Sequence, residues 1–491
     1  MMMNEHIDPA LRKAIRERWP TAADFYAERD DRTLRETPGL AAYARRRVEI
    51  LVDPAAARSS STQRIALVAS NLTSRWARNI RIVMPGGTPI AEGLGRGRFT
   101  QLAERLLSEM YGADPFGDFG VIDTRSYDAG GQGPLRLFVG DWSTNPPDNV
   151  RIGGDDFLAT AAGEYATGRR GEAALTDATE VPFPPSPALA AAIGVADLFK
   201  RAVGQPREHW VLPFDWNLVD HSLRKSPAGT RSTGPARPWN VGNILIAGIG
   251  AIGSSLGYLL DLSGMEGDVA LLDRDRVETS NLNRSLVFDV SHVLDRARKT
   301  DIVAEFLQSD RVQVSRLDGT WRELAPAVSA AKYDVWVSFT NEDAAWAQLP
   351  FQLPPVVLQG TTTSGWGFGA GRHIPRKEDC TLCRMPRPAA EFRGPCADGE
   401  VEQTKSLPPV RAALPFLSAA SAALVLAELL KLQLPDIASL PNDVAADLKT
   451  GLPAVVALNR SIGRGCRGCG IMKSDIWYQR GGRGRYAFLS T

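Results

Sequence analysis

Residues 243–262 read NILIAGIGAIGSSLGYLLDL, and the join between the first eight of these and the last nine decides the fold. The opening run, NILIAGIG, is apolar enough for a strand buried on both faces. Gly248-Ile-Gly250-Ala-Ile-Gly253 leads straight out of it into SSLGYLLDL, a helical stretch. Glycines at a strand-to-helix turn permit a tight turn, close backbone approach to a phosphate and close helix packing, while the helix N-terminus offers N–H groups to an anion. The pattern predicts a nucleotide site contacted by Gly248, Gly250, Ile252 and Gly253. The next apolar run, DVALLD, ends at Asp273, 20 residues beyond Gly253, where a carboxylate accepts hydrogen bonds from ribose hydroxyls. Further on, DVWVSF and PVVLQG alternate with helical stretches, so the second half is predicted to be α/β, a parallel sheet with crossover helices.

Upstream the organisation is less explicit. Residues 1–57 are rich in Arg and Glu and predict a helical segment. The run Arg64–Ser70 (RIALVAS) predicts a buried strand opening a first α/β unit, and Leu135–Val139 a second strand. Residues 226–240, dense in Gly, Pro, Ser and Thr, predict a linker. An echo joins the halves: AAAIGVADLFK (190–200) lines up without gaps against SAALVLAELLK (421–431), with Ala, acidic, Leu and Lys positions in register. Alanine-rich helices resemble one another by composition; a true duplication would make residues 58–225 a second copy that has lost its phosphate loop.

The chain has 491 residues, enough for roughly two to four domains, and its 57 Lys and Arg against 56 Asp and Glu leave a net charge of +1. That balance excludes a global attraction to nucleic acid or to an acidic membrane. The N-terminus shows no secretory pattern, and the longest apolar stretch, Leu414–Leu430, is short and carries Glu428, so neither export nor a membrane span is expected and the cytoplasm is the default. Five cysteines in such a chain point to metal ligation or nucleophilic chemistry before disulfides.

Beyond Asp273 the chain continues through Asp275 and Val277 to Ser280-Asn281-Leu282-Asn283-Arg284, and then to Arg298-Lys299. A nicotinamide oxidoreductase, which the glycines alone would also fit, has no need of this polar cluster. An enzyme that splits ATP between its α- and β-phosphates needs cations and amides on the triphosphate, and Arg284 offers a planar fork and Lys299 a point charge. The stretch resembles the ThiF, MoeB and E1 family, whose adenylation domains carry GxGxxG, a DxDxVxxSNLxR run and a downstream Lys. The resemblance implies that Asp273 and Asp275 belong to the ATP site, with Asp273 on the ribose. Asn281 and Arg284 would hold the phosphates, and Lys299 would stabilise the transition state of adenylyl transfer. Where the family has an Asp that helps hold Mg2+, this chain has Asn341 in Ser338-Phe-Thr-Asn341-Glu342, so Mg2+ would be ligated by the Asn341 carbonyl or by Glu342 or Asp343.

Cys380-x-x-Cys383 and Cys466-x-x-Cys469, with 82 residues between the pairs, present four thiolates at the spacing of a closed, structural Zn2+ site. Cys396 remains, in a stretch without clear periodicity and near Arg393, where a thiolate is favoured. The family resemblance places a zinc knuckle around the Ala-rich helix and, in its E1 branch, a thioester-forming cysteine between the zinc pairs, which here implies Cys396. The long first half favours that branch, in which a catalytically silent copy accompanies the active one. The likeness is nearest to the E1-like proteins of bacterial ubiquitin-like conjugation operons, several of them associated with defence against phage.

The expected fold is therefore α/β, tandem ThiF/E1-type Rossmann-like domains at 58–225 and 241–470, the first degenerate and the second with structural zinc. A C-terminal tail at 471–491 is expected to be mobile. The implied function is ATP-dependent activation of a ubiquitin-like protein, through a thioester on Cys396, for transfer to an E2-like protein. Alternatives are a ThiF/MoeB-type sulfur-carrier adenylyltransferase and a nucleotide-binding scaffold. Pseudo-dimerisation within one chain is expected, and a homodimer is compatible with it. Arg45–Arg47 and Arg224 are candidates to reach across to ATP.

Overall fold

The computed structural model describes residues 7–31, 33, 44–128, 133–140, 142, 157–162, 165–170, 183–224, 239–324, 332–340, 343–363, 366–384, 414–434, 436–451, 453–480, 482 and 484–490. Two short helices come first, α1 (Pro9–Arg18) and α2 (Ala22–Arg29). The first half then runs β1 (Arg47–Val52), α3 (Ser60–Ser74), β2 (Asn79–Met84), α4 (Leu102–Ala113), β3 (Asp118–Asp123) and β4 (Leu135–Val139). It continues with β5 (Phe157–Ala162), β6 (Tyr165–Arg170), α5 (Pro185–Ala202), β7 (Phe214–Asn217) and β8 (Leu223–Arg224).

The second half opens with β9 (Asn240–Ala247), α6 (Ala251–Ser263), β10 (Glu266–Leu272), α7 (Val290–Leu294), α8 (Lys299–Leu307) and β11 (Val312–Leu317). It goes on through α9 (Trp321–Leu324), β12 (Val335–Ser338), α10 (Asp343–Gln348), β13 (Val356–Thr362) and β14 (Gly367–His373). After these come α11 (Pro415–Lys431), β15 (Asp443–Asp447), β16 (Ala454–Leu458), α12 (Arg467–Met472) and α13 (Asp475–Arg480).

Each half builds one eight-stranded sheet, and the two sheets have the same plan. The orders are β3-β2-β1-β4-β5-β6-β7-β8 and β11-β10-β9-β12-β13-β14-β15-β16. In each, the first five strands pair in parallel and the last three antiparallel. The chain is thus two Rossmann-like α/β sheets in tandem. The echoing segments 190–200 and 421–431 fall in α5 and α11, which occupy the same place in the two plans.

α5 and α11 pack on each other as well as on their own sheets, so every residue of both is buried. A helix apolar on all sides is the form such a double-faced position requires, and alanine lets the backbones approach. The aligned lysines cross reciprocally. Lys200 of α5 donates to the Leu448 carbonyl just after β15, and Lys431 of α11 donates to the Val219 carbonyl just after β7 at 2.9 Å. One large apolar cluster runs through both halves.

Beside that crossing lies a buried ionic cluster. Arg372 pairs with Glu378 at 2.7 Å and with Glu428 at 2.5 Å, Lys431 also pairs with Glu428, and His221 Nε2 lies 3.0 Å from Glu428. Burial pushes the Glu428 pKa up, but Lys431 and Arg372 pull it well below the usual carboxylate range. Burial and Lys431 push His221 down. Two cations therefore face two carboxylates with a neutral imidazole, a balance that lets charge be buried.

Four elements differ from the sequence expectations. Arg64–Ser70 lies inside helix α3 and is not a strand; α3 is buried on all sides from Thr62 to Ser74, so its run shows no alternation of exposed and buried positions. β1 lies within the stretch 1–57 read as helical. The first-half turn that corresponds to the glycine turn is therefore residues 53–59, between β1 and α3, and it contains no glycine. At the C-terminus, Tyr486 and Leu489 are buried and Arg485 Nη1 donates to Asn240 Oδ1 at 2.8 Å, so residues 484–490 are docked rather than a free tail. Residues 225–238, most of the expected linker, lie outside the described residues.

Candidate nucleotide site and cysteine cluster

In the second sheet the strand order reverses at β9, with β10 on one side and β12 on the other. A crevice at the C-terminal ends of strands forms at such a switch point. The glycine turn lies there. Gly248 has φ 92°, and a Cβ on it would meet the Phe339 carbonyl carbon at 2.9 Å, just beyond β12. A Cβ on Gly253 would lie 2.0 Å from the Gly248 oxygen. Only glycine fits either position. Gly250 is the N-cap of α6 and offers no side chain to its first N–H groups, which leaves them for an external anion. Ile252 is buried in the core, so its backbone alone is turned to the helix mouth.

Asp273 follows β10 and ties the turn together, accepting from Ile249 N at 2.6 Å and Asp275 N at 2.8 Å. Lys299, at the start of α8, is buried at its amine end against the exposed Asp275, 2.9 Å away, and its own N–H donates to the Asp275 carbonyl at 3.1 Å. Gly248, Gly253, Asp273, Asp275 and Lys299 thus form one connected group. Asn281 and Arg284 sit on the next turn. Asn281 Oδ1 accepts from Glu278 N at 3.0 Å, and Arg284 Nη1 donates to the Ser280 carbonyl at 2.6 Å. Asn341, Glu342 and Cys396 lie outside the described residues, as does the side chain of Asp343.

Among the described residues the first half has no counterpart to this group. Asp53 takes the place after β1, where its carboxylate accepts from Ala55 N at 2.9 Å and Trp142 N at 2.8 Å, and Trp142 packs on Phe138. Arg46 donates to the Arg201 carbonyl and Arg47 pairs with Glu49, so both are engaged within the first half; Arg224 belongs to edge strand β8.

All four paired cysteines converge, their sulfur atoms lying within 4.8 Å of one another. Cys380 and Cys466 are 3.6 Å apart, Cys383 and Cys469 3.4 Å, and Cys380 and Cys383 3.9 Å. A tetrahedral Zn2+ with sulfur at about 2.3 Å has sulfur–sulfur edges of about 3.8 Å, so this donor set fits the ion. Hydrogen bonding to Cys469 and burial push Cys380 up, burial pushes Cys383 up to about 11, and the hydrogen bond with Cys380 brings Cys469 down to about 5. Only glycine fits at 463 and 468, where a Cβ would lie 2.6 Å from Cys383 Sγ and 2.8 Å from Cys380 Sγ. Leu353, Met472 and Trp477 shield the cluster, and Trp477 Nε1 donates to the Pro354 carbonyl at 2.7 Å.

Sequence reasoning missed the groups that reach this site from the first half: Glu28 on Thr279, Thr33 on Asn283, and Arg75 on three carbonyls between 282 and 288. A cation that serves backbone oxygens needs no partner residue type and leaves no spacing to read.

Residues 237–340 match the ThiF family. No curated protein sequence matches the chain. Among solved structures, E. coli MccB with MccA aligns at 18% identity and a TM-score of 0.35, over 46% of this chain and 66% of MccB. E. coli MccB with ATP aligns at 15% identity and a TM-score of 0.36, over 65% of this chain and 99% of MccB. Among the described residues no helix is long and apolar enough to cross a membrane. The stretch that matches the ThiF family contains the strand, the glycine turn, Asp273, the SNLNR turn and Lys299.

Proposed function

We propose that this chain is an E1-like activating enzyme that uses ATP to adenylate the C-terminal carboxylate of a ubiquitin-like protein. The observation that carries the reading is the asymmetry between two like sheets. One ends in an open glycine turn beside Asp273, Asp275 and Lys299, and the other has that place closed by Asp53 and Trp142. ATP, bound with Mg2+, would lay its phosphates on the α6 N-terminus and its ribose on Asp273, with Asn281, Arg284 and Lys299 on the phosphate oxygens. The carrier's carboxylate oxygen attacks the α-phosphorus, the bond to the bridging oxygen breaks, and pyrophosphate leaves. The Cys396 thiolate then attacks the acyl carbon, AMP leaves with the electron pair, and the thioester passes to a cysteine of an E2-like protein. Cys380, Cys383, Cys466 and Cys469 would hold Zn2+, which supplies a structural cross-link and takes no part in these steps.

The test is a nonreducing gel of wild type and Cys396→Ala with ATP, Mg2+ and candidate ubiquitin-like proteins, alongside carrier-dependent exchange of pyrophosphate into ATP. An ATP-dependent, thiol-sensitive adduct lost in Cys396→Ala, with exchange retained, is expected. Exchange without an adduct would replace this reading by sulfur-carrier adenylation. Neither signal would leave a nucleotide-binding scaffold.

A further inference from the structure

α3 of the first half ends at Arg75, and this side chain faces the second half. Its guanidinium is buried, and all five of its N–H groups are engaged. Nε and Nη2 donate to Asn71 Oδ1 at 3.0 and 2.8 Å. Nη1 donates to the carbonyls of Leu282 and Phe288 at 2.9 and 3.0 Å, and Nη2 also to that of Leu286 at 3.1 Å. Asn71 Nδ2 adds a second donor to Leu286, at 3.1 Å. From α2 and just beyond it, Glu28 accepts from the Thr279 hydroxyl at 2.9 Å and Thr33 from Asn283 at 3.0 Å.

The segment so gripped, 279–288, is almost wholly buried, yet only Thr279–Asn281 has a regular form, a single 3-10 turn. Buried carbonyls outside helix or sheet need donors from elsewhere. Here the first half supplies them, and the same segment carries Asn281 and Arg284. We infer that Arg75 is a positioning residue through which the first half sets the conformation of the phosphate-facing turn of the second. The significance for ATP rests on the nucleotide reading given above; the grip itself does not. The first half is on this view a part of the site in which no residue need touch the nucleotide.

The experiment compares full-length wild type, Arg75→Lys and Thr33→Val by hydrogen–deuterium exchange and by calorimetric titration with ATP. Lysine keeps the charge but cannot span three carbonyls. Arg75→Lys is expected to accelerate exchange in 282–288 about tenfold, leave 466–472 at wild-type rates, and raise the Kd for ATP about tenfold. Thr33→Val, which buries no new charge, is expected to act in the same direction by about threefold and serves if Arg75→Lys does not fold. Unchanged exchange at 282–288, or equal acceleration throughout the chain, would overturn the inference. A wild-type chain that binds no ATP would overturn the nucleotide reading, while exchange at 282–288 would still decide the grip.

Discussion

A methyl group on Gly253 would sit 2.0 Å from the carbonyl oxygen of Gly248, so Gly253→Ala must open the turn that the two glycines close. Relieving such a clash costs about 1–3 kcal/mol and moves the N–H groups at the mouth of α6. Gly253→Ala is therefore expected to fold, with a slightly lower Tm, and to bind ATP at least about tenfold more weakly. Calorimetric titration checks it, and wild-type affinity would show that the turn does not hold phosphate. Residues of this kind are the ones the sequence makes legible. Gly248 and Gly253 are demanded by backbone geometry, and the four paired cysteines by ligand chemistry, so their identities and spacing are visible in one sequence. Arg75 is dictated by neither. Its partners in the second half are carbonyls of residues more than 200 positions away, and carbonyls look alike in every sequence.

At the level of elements, legibility followed burial on one face or two. Strands such as β9 and β12, set within a parallel sheet, read as unbroken apolar runs and were expected where they lie. The same uniformity disguised α3, whose run Arg64–Ser70 is nearly as apolar as a strand because α4, α5 and the sheet cover it. β1 was hidden for the opposite reason, since its six residues, RVEILV, follow a run of arginines and include a glutamate that is buried against Tyr127. The cysteine cluster joins the turn after β14 to the short helix α12, and Trp477 of α13 packs against it. Six-residue helices do not persist without such an anchor. Chain purified without chelator should carry about one Zn2+. Stripping the metal should lower Tm and open 462–480 to proteolysis while leaving the sheet signal in circular dichroism intact. A zinc-loaded preparation whose Tm does not fall when chelator removes the metal would refute the structural role.

Across the whole molecule, the two halves are alike in plan, and the reciprocal lysines link them in different surroundings. Lys200 and Lys431 stand at aligned positions and each reaches a carbonyl of the opposite half. Lys200 serves the carbonyls of His209 and Leu448 and lies 5.2 Å from the Trp366 ring centre, whereas Lys431 is one of two cations balancing Glu378 and Glu428. Lys200→Met gives up the bonds to the His209 and Leu448 carbonyls and should cost about 1–3 kcal/mol. Lys431→Met strips a buried carboxylate of one partner and should cost about 3–5 kcal/mol, because Arg372 alone then faces two negative charges. Midpoints of urea unfolding for the two variants measure the contrast directly. Adding Glu428→Gln to Lys431→Met should recover part of the loss, since it removes the charge left unbalanced, and the same substitution paired with Lys200→Met should recover nothing. Equal costs for the two lysines, or no recovery, would mean that the ionic cluster beside α11 contributes no more than the lysine crossing on the α5 side does.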